Sequence, residues 1–227
     1  MTRPFAARLF VDSWVLFRHL GQSKAASLMN ISQLVIATRN TGKLREFCQL
    51  LAHTGWKILG LEDVGIGEDF EETGSSFVEN ARLKARNYSL RTGLPVLGDD
   101  SGLEVSALGG RPGIHSARYA GPHATDLDRV RKLLAELDET EANRQAHFVC
   151  ALALARRGVV LLEAEGECRG IIAQRPRGDR GFGYDPIFFF PELGRTYAEL
   201  AEEEKNRVSH RARAVESLLA RIADIGA

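Results

Sequence analysis

Two adjacent carboxylates, Asp99 and Asp100, follow the apolar run Leu94 to Leu97 after a single glycine, Gly98. That run reads as a buried strand, and Ser101 and Gly102 are expected to turn the chain after it. Two ionised carboxylates side by side are costly to bury unless they share a cation or a proton. Open α/β sheets place their chemistry at the carboxyl ends of strands. The pair therefore points to a metal ion or a general base at the end of a strand. The plainer reading is a solvated turn, since Asp and Ser are ordinary turn residues.

The segments on either side frame this pair with strands and helices. Gln33 to Thr38 is a compact apolar strand, and Leu44, Phe47, Cys48 and Leu51 recur at helical spacing after Lys43. The five residues Arg39, Asn40, Thr41, Gly42 and Lys43 then form a tight strand-to-helix turn. Such a turn aims free backbone N–H groups and the helix dipole at one spot, which suits phosphate, and Lys43 adds a point charge. The loop is not a Walker A motif: Ala37 stands where the first glycine belongs and Leu44 replaces the Ser/Thr. An ordinary connection with a solvated lysine is the competing reading.

Ile58 to Leu61 reads as a second strand, followed by an acidic loop from Glu62 to Glu72. Ser76 and Glu79 have capping-box spacing, so a helix is expected from about Phe77, with Phe77, Ala81, Lys84, Ala85 and Tyr88 on its inner face and Gly93 as its stop. A lysine on that face fits a snorkelling stem. Glu71, just ahead of the helix, either complements its dipole or serves as a hard-metal ligand partnered with Asp100. Further on, Leu103, Val105 and Ala107 alternate as a strand. Leu127, Val130, Leu134 and Leu137 stripe a helix that starts near Thr125. Phe148 to Leu154 is a buried strand that turns at Arg156 to Gly158 into a half-exposed antiparallel one, Val159 to Cys168.

Near the carboxyl end, Gly181, Phe182, Gly183, Tyr184 and Asp185 combine flexible backbone with aromatic rings, a stacking platform for a planar base. Phe188, Phe189 and Phe190 fit core anchors better. Ser209 is a natural N-cap, which places His210 and Arg211 in the first turn of a helix. Positive charge there opposes the dipole, and an acceptor-rich ligand would account for it.

Composition narrows the function classes. The 227 residues carry 30 Lys+Arg against 30 Asp+Glu, so no global basic field exists for a nucleic-acid backbone or an anionic membrane. The three cysteines, Cys48, Cys150 and Cys168, form no CxxC, which argues against a disulfide framework or zinc site and for a reducing, cytoplasmic setting. No apolar run reaches membrane-spanning length. Residues 1–30 are read as a leader apart from a single domain over 31–227. The leader fits a transit peptide, a peripheral helix, or a start at Met29; the last is preferred because the recognisable core begins at Ile31.

Five blocks occur in order: ATRNTGKLREF, FEETGSSFVENARLKA, GDDSGLEVSALGGRPGIHSARYAG, GDRGFGYDPIFF and EEKNRVSHRARA. Together they resemble the signature blocks of the inosine/xanthosine triphosphate pyrophosphatase family, from Ile31 to Leu219. The resemblance implies an α/β fold, with an elongated mixed sheet, flanking helices and two lobes around a central nucleotide cleft. It also implies a homodimer and a Mg²⁺ requirement. By the same resemblance, Thr38, Arg39, Asn40, Thr41, Gly42 and Lys43 would hold the triphosphate, and Glu71 and Asp100 the metal. Asp100 would accept the proton of the water attacking the α-phosphorus, with Asp99 supporting it or the metal. Ser101 would hydrogen-bond substrate, while Phe182, Gly183, Tyr184 and Asp185 would border the purine. Lys205 would contact phosphate or base, and His210 and Arg211 would read the base edge. Arg39 stands where some family members have glycine. The implied activity is hydrolysis of noncanonical purine nucleoside triphosphates (ITP, dITP, XTP) to monophosphate and pyrophosphate. The alternatives are a pyrophosphatase for another modified nucleotide and a non-catalytic nucleotide sensor.

Overall fold

The computed structural model describes residues 30–68, 70–138 and 143–226. The expected leader helix and the alternative start at Met29 lie outside the described residues. The described chain forms β1 (Gln33–Ala37), α1 (Thr41–Leu50), β2 (Lys57–Leu59), α2 (Phe77–Thr92) and β3 (Pro95–Val105). It continues with α3 (Asp126–Asp138), β4 (Gln145–Arg156), β5 (Val159–Ile172), β6 (Phe188–Phe190), β7 (Arg195–Thr196), α4 (Glu202–Val208) and α5 (His210–Gly226). Seven strands make one mixed sheet in the order β2-β1-β3-β4-β5-β6-β7. β1 is parallel to β2 and β3, and every later pairing is antiparallel. The expected α/β architecture with flanking helices is thus observed.

Strand β3 corrects one expectation. Ser101 and Gly102 do not turn the chain, because β3 runs unbroken from Pro95 to Val105 and pairs with β4 along its whole length. Its pairing with β1 stops at Ala37–Gly98, so the aspartates lie beside the end of β1 rather than at the end of their own strand. Long-range pairing to β4 outweighs the local turn propensity of Asp-Ser-Gly here.

Successive residues of a strand face opposite sides of the sheet. On one side α2 lays Phe77, Ala81 and Ala85 against Ala151, Ala153 and Ala155 of β4. Small residues on both surfaces permit close approach. At Gly98 even a methyl group would come within 2.1 Å of the Ala81 carbonyl oxygen. On the other side Phe47 of α1, Leu51 just past its end, and Ala214, Val215 and Leu218 of α5 cover Leu34, Ile36, Leu97, Leu152 and Leu154. Farther along the sheet, Val130, Leu133 and Leu137 of α3 pack with Leu103, Phe148, Phe188 and Tyr197.

The local signals held at several helix ends. Ser76 Oγ accepts from the Glu79 N–H, Gly93 closes α2 in the left-handed region, and Ser209 Oγ accepts from the Ala212 N–H. Helix α1 starts at Thr41, two residues before the expected Lys43, capped by the Asn40 side chain, which accepts from the Lys43 N–H at 3.0 Å. Two stripe positions were misassigned. Cys48 is exposed, with Glu46 buried in its stead, and Leu127 is exposed, with Leu133 on the inner face.

Candidate active site

The expected phosphate-binding segment, the aspartate strand, the aromatic loop and the start of α5 meet around one cavity of about 260 Å³. It opens where β1 ends and β3 continues. Thr38, Arg39, Asn40 and Lys43 line it from the β1–α1 junction, Asp100 and Ser101 from β3, Phe182 to Asp185 from the aromatic loop, and Lys205, His210 and Arg211 from α4 and α5. Thr41 and Gly42 line an adjoining groove. Gly42 leaves room for Phe182, whose ring would lie 2.5 Å from any Cβ added there.

The two aspartates part company. Asp99 faces α1 and α5. Its Oδ2 accepts from Lys43 Nζ at 2.5 Å, and Arg211 Nε lies 3.9 Å from its other oxygen. Burial alone would raise the Asp99 carboxyl, but the charges of Lys43, Arg211 and Lys84 hold it well below the usual range. Asp100 faces α2. Its Oδ2 accepts from Asn80 Nδ2 at 3.0 Å, and Lys84 Nζ lies 3.6 Å from Oδ1. Burial raises the Asp100 carboxyl against the opposing pull of Lys84 and Lys43. One neighbour is therefore a permanent anion and the other has its proton affinity lifted, the asymmetry that acid–base work requires.

Lys84 is no snorkelling stem. Its ammonium is buried between Asp100 and Glu72, which accepts from it at 2.9 Å. Burial would lower Lys84, but Asp100 and Glu72 raise it, and it stays charged. Glu72, not the expected Glu71, lines the cavity, and Glu71 is exposed. Residue alternation along the loop separates the two, and sequence alone did not reveal which of the neighbours turns inward. Asp100 and Glu72 form an all-oxygen pair converging on one cation. With phosphate oxygens from a substrate, that donor set fits a hard divalent ion such as Mg²⁺, which takes one or two carboxylates and keeps several waters. Among the described residues, no cluster of three or more His, Cys, Asp and Glu side chains offers a closed metal cage.

The cations from α4 and α5 are held by a residue the sequence reading missed. Glu46 of α1 accepts from Lys205 Nζ at 2.8 Å and pairs with Arg211 Nη1. Its position three residues after Lys43, on the same helix face, was the available signal. Lys205 also donates to Asp185, and its ammonium lies 4.7 Å from the Phe182 ring centroid. Arg211 Nη2 donates to Ser101 Oγ at 3.0 Å. His210 stacks on Phe148 with centroids 4.7 Å apart. Burial, with Arg211 and Lys205 beside it, pushes His210 well below its ordinary range, so the ring is neutral. His210 Nδ1 and Arg211 Nε are buried without a hydrogen-bond partner. Buried polar atoms of this kind ask for a ligand or water.

The Ham1 family profile matches residues 34–221. The chain belongs to the Ham1 family. The dITP/XTP pyrophosphatase of Geobacillus kaustophilus is 53% identical over 189 residues, 83% of this chain and 93% of that protein. The protein of the same name from Gloeobacter violaceus is 54% identical over 188 residues, covering 82% and 92%. Among solved structures, a HAM1 protein from Coxiella burnetii matches with a TM-score of 0.78 at 43% identity, over 86% of this chain and all of that one. The Ham1 membership accounts for the five ordered blocks, since the match spans the region that carries them.

The neutral state of His210 has a measurable consequence. Below pH 6.5, the ordinary histidine value, an unfolded chain binds a proton that the folded chain refuses, so acidification favours unfolding. Above that pH the term vanishes. The stability of the chain relative to a His210→Gln variant should therefore be level above pH 6.5. It should fall by about 1.4 kcal/mol per pH unit below it, as read from urea melts at a series of pH values. A difference that stays constant from pH 7.5 to 5 would show that His210 titrates normally in the fold.

Proposed function

We propose that the chain hydrolyses noncanonical purine nucleoside triphosphates, dITP, ITP and XTP, to the nucleoside monophosphate and pyrophosphate. The observation that carries this reading is that Asp100 and Lys43 line one cavity together with Phe182, Lys205, His210 and Arg211, with unsatisfied nitrogens on the last two. The sequence similarity to proteins named dITP/XTP pyrophosphatase supports it.

In this reading the start of α1 and Lys43 take the triphosphate, through the helix dipole and a point charge. Asp100 accepts a proton from the water whose oxygen bonds to the α-phosphorus, and the bond from that phosphorus to the bridging oxygen breaks, releasing pyrophosphate. Asn80 holds the Asp100 carboxylate in place through its 3.0 Å hydrogen bond. Bound Mg²⁺, held by Asp100 and Glu72 with Glu71 adjacent, would neutralise phosphate charge. Ser101 positions substrate, and Phe182 stacks on the base while Gly183 to Asp185 border it. Lys205 and Arg211 donate toward an oxygen at purine C6, where adenine carries an amino donor instead. A site built to donate leaves its groups unpaired against adenine, which discriminates by several kcal/mol. A homodimer and a cytoplasmic setting accompany the reading.

Product analysis tests it. Incubated with dITP, ITP, XTP, ATP and GTP, with and without Mg²⁺, the protein should release monophosphate and pyrophosphate from the first three, and only with the metal. Release of single phosphates, or equal turnover of ATP, would overturn the assignment. Binding without turnover would leave a nucleotide sensor.

A further inference from the structure

The loop that carries Phe182 is fixed from two sides. On the sheet side Asp185 accepts from the Phe182 N–H at 2.9 Å and from Lys205. On the opposite side the tie comes from Asp126, the first residue of α3, which lies 57 positions away in sequence. Its Oδ2 accepts from the Gly183 N–H at 2.6 Å. Its other oxygen pairs with Arg129, one turn along the helix. Arg129 Nη1 donates in turn to the carbonyls of Ala117 and Ala124, both at 2.8 Å. Asp126 and Arg129 both line the cavity. Gly183 has a φ of +62°, a left-handed conformation that turns its N–H out of the loop's own hydrogen bonding. The Tyr184 hydroxyl donates to the Ser116 carbonyl at 3.0 Å and fixes the next residue to the same wall.

We infer that Asp126 is a positioning residue for base recognition, setting the height of the Phe182 ring over the base through the Gly183 N–H. This rests on the proposed nucleotide chemistry and adds to it a residue that touches neither phosphate nor the reacting atoms. Helix-dipole complementation alone would make Asp126 replaceable by any first-turn acid and would not require the bond to Gly183. The carboxylate's charge, with its other oxygen held by Arg129, makes that bond a strong one. Without it the loop keeps the Asp185 and Tyr184 ties and the packing of the Phe182 ring on Gly42, but loses the bond that sets the backbone next to that ring, so Phe182 loses its register with the base.

The experiment compares the wild type, Asp126→Ala and Asp126→Asn with dITP as substrate and inorganic tripolyphosphate as competitive inhibitor. Tripolyphosphate carries the phosphates without a base. Asp126→Ala should raise KM for dITP about tenfold with kcat changed far less, the worth of one charge-assisted hydrogen bond. Its Ki for tripolyphosphate should match the wild type. Asp126→Asn, which keeps an oxygen for the Gly183 N–H, should recover most of the KM. An unchanged KM in Asp126→Ala, or a parallel rise in KM and Ki, overturns the inference. A wild type that does not turn over dITP overturns the proposed function instead, so the two failures are told apart.

Discussion

Asp100→Asn should lower kcat for dITP by about 10³-fold while leaving nucleotide affinity of the same order. The substitution keeps the size of the side chain and an oxygen that can accept from Asn80. It removes the negative charge and the ability to take a proton. Lys84 retains Glu72 at 2.9 Å, so the buried ammonium is not orphaned and the fold should persist. Measured without Mg²⁺, binding should hold, because the lost carboxylate would otherwise repel the phosphates; with Mg²⁺ it should stay of the same order, because Glu72 remains to hold the metal. Equilibrium binding of dITP beside single-turnover hydrolysis separates the two effects. If turnover survives within tenfold, Asp100 is not the base. If affinity collapses along with it, the carboxylate serves binding rather than proton transfer.

Glu46→Gln should cost about 3 kcal/mol of folding stability, the scale of breaking a buried ion cluster from one side. Glu46 is 7% exposed, and Lys205 and Arg211 beside it are equally enclosed. Burial would raise the Glu46 carboxyl, yet Arg211 and Lys205 bring it below its ordinary value, so it is ionised in the fold. Glutamine preserves shape but leaves two cations to share Asp185 and Asp99. Urea unfolding with an unchanged m-value checks this. The outcome contrasts with solvent-facing pairs such as Arg45–Glu202, with side chains about half exposed, where water and salt screen the interaction and loss should hardly register. A Glu46→Gln variant as stable as the wild type would mean that the cluster's desolvation cost cancels its attraction.

The parts of this protein legible in sequence are those in which local and global preferences agree. Strand β1, the caps at Ser76, Gly93 and Ser209, and the convergence of Lys43, Asp100, Phe182, Lys205 and Arg211 on one site all followed from periodicity, capping chemistry and the ordered blocks. What failed had a common cause. The Asp-Ser-Gly turn gave way to eleven residues of pairing with β4, a contact about fifty residues away that no local window contains. The aspartates were expected to act as a pair because they are adjacent, but within a strand adjacency means opposite faces. Beyond its spacing from Lys43, Glu46 carries no signal of its own in the local sequence, because its partners Lys205 and Arg211 lie more than 150 positions downstream. Lys84 was discounted because a lysine on an apolar face is usually a stem with its head in water. Asp100 and Glu72, on either side of its ammonium, show otherwise.

The length of the site is a difference between two strands. β1 ends its pairing at Gly98, and the far part of β3 is closed off again where Ser116 Oγ accepts from the Leu103 N–H. Between these stops only Asp99 to Gly102 show a bare strand edge, about 13 Å at 3.3 Å per residue. The cleft is therefore a missing stretch of sheet. Its reach is counted in residues of β1. A longer β1 would fill the gap with backbone, and a shorter one would let water run along the edge of β3.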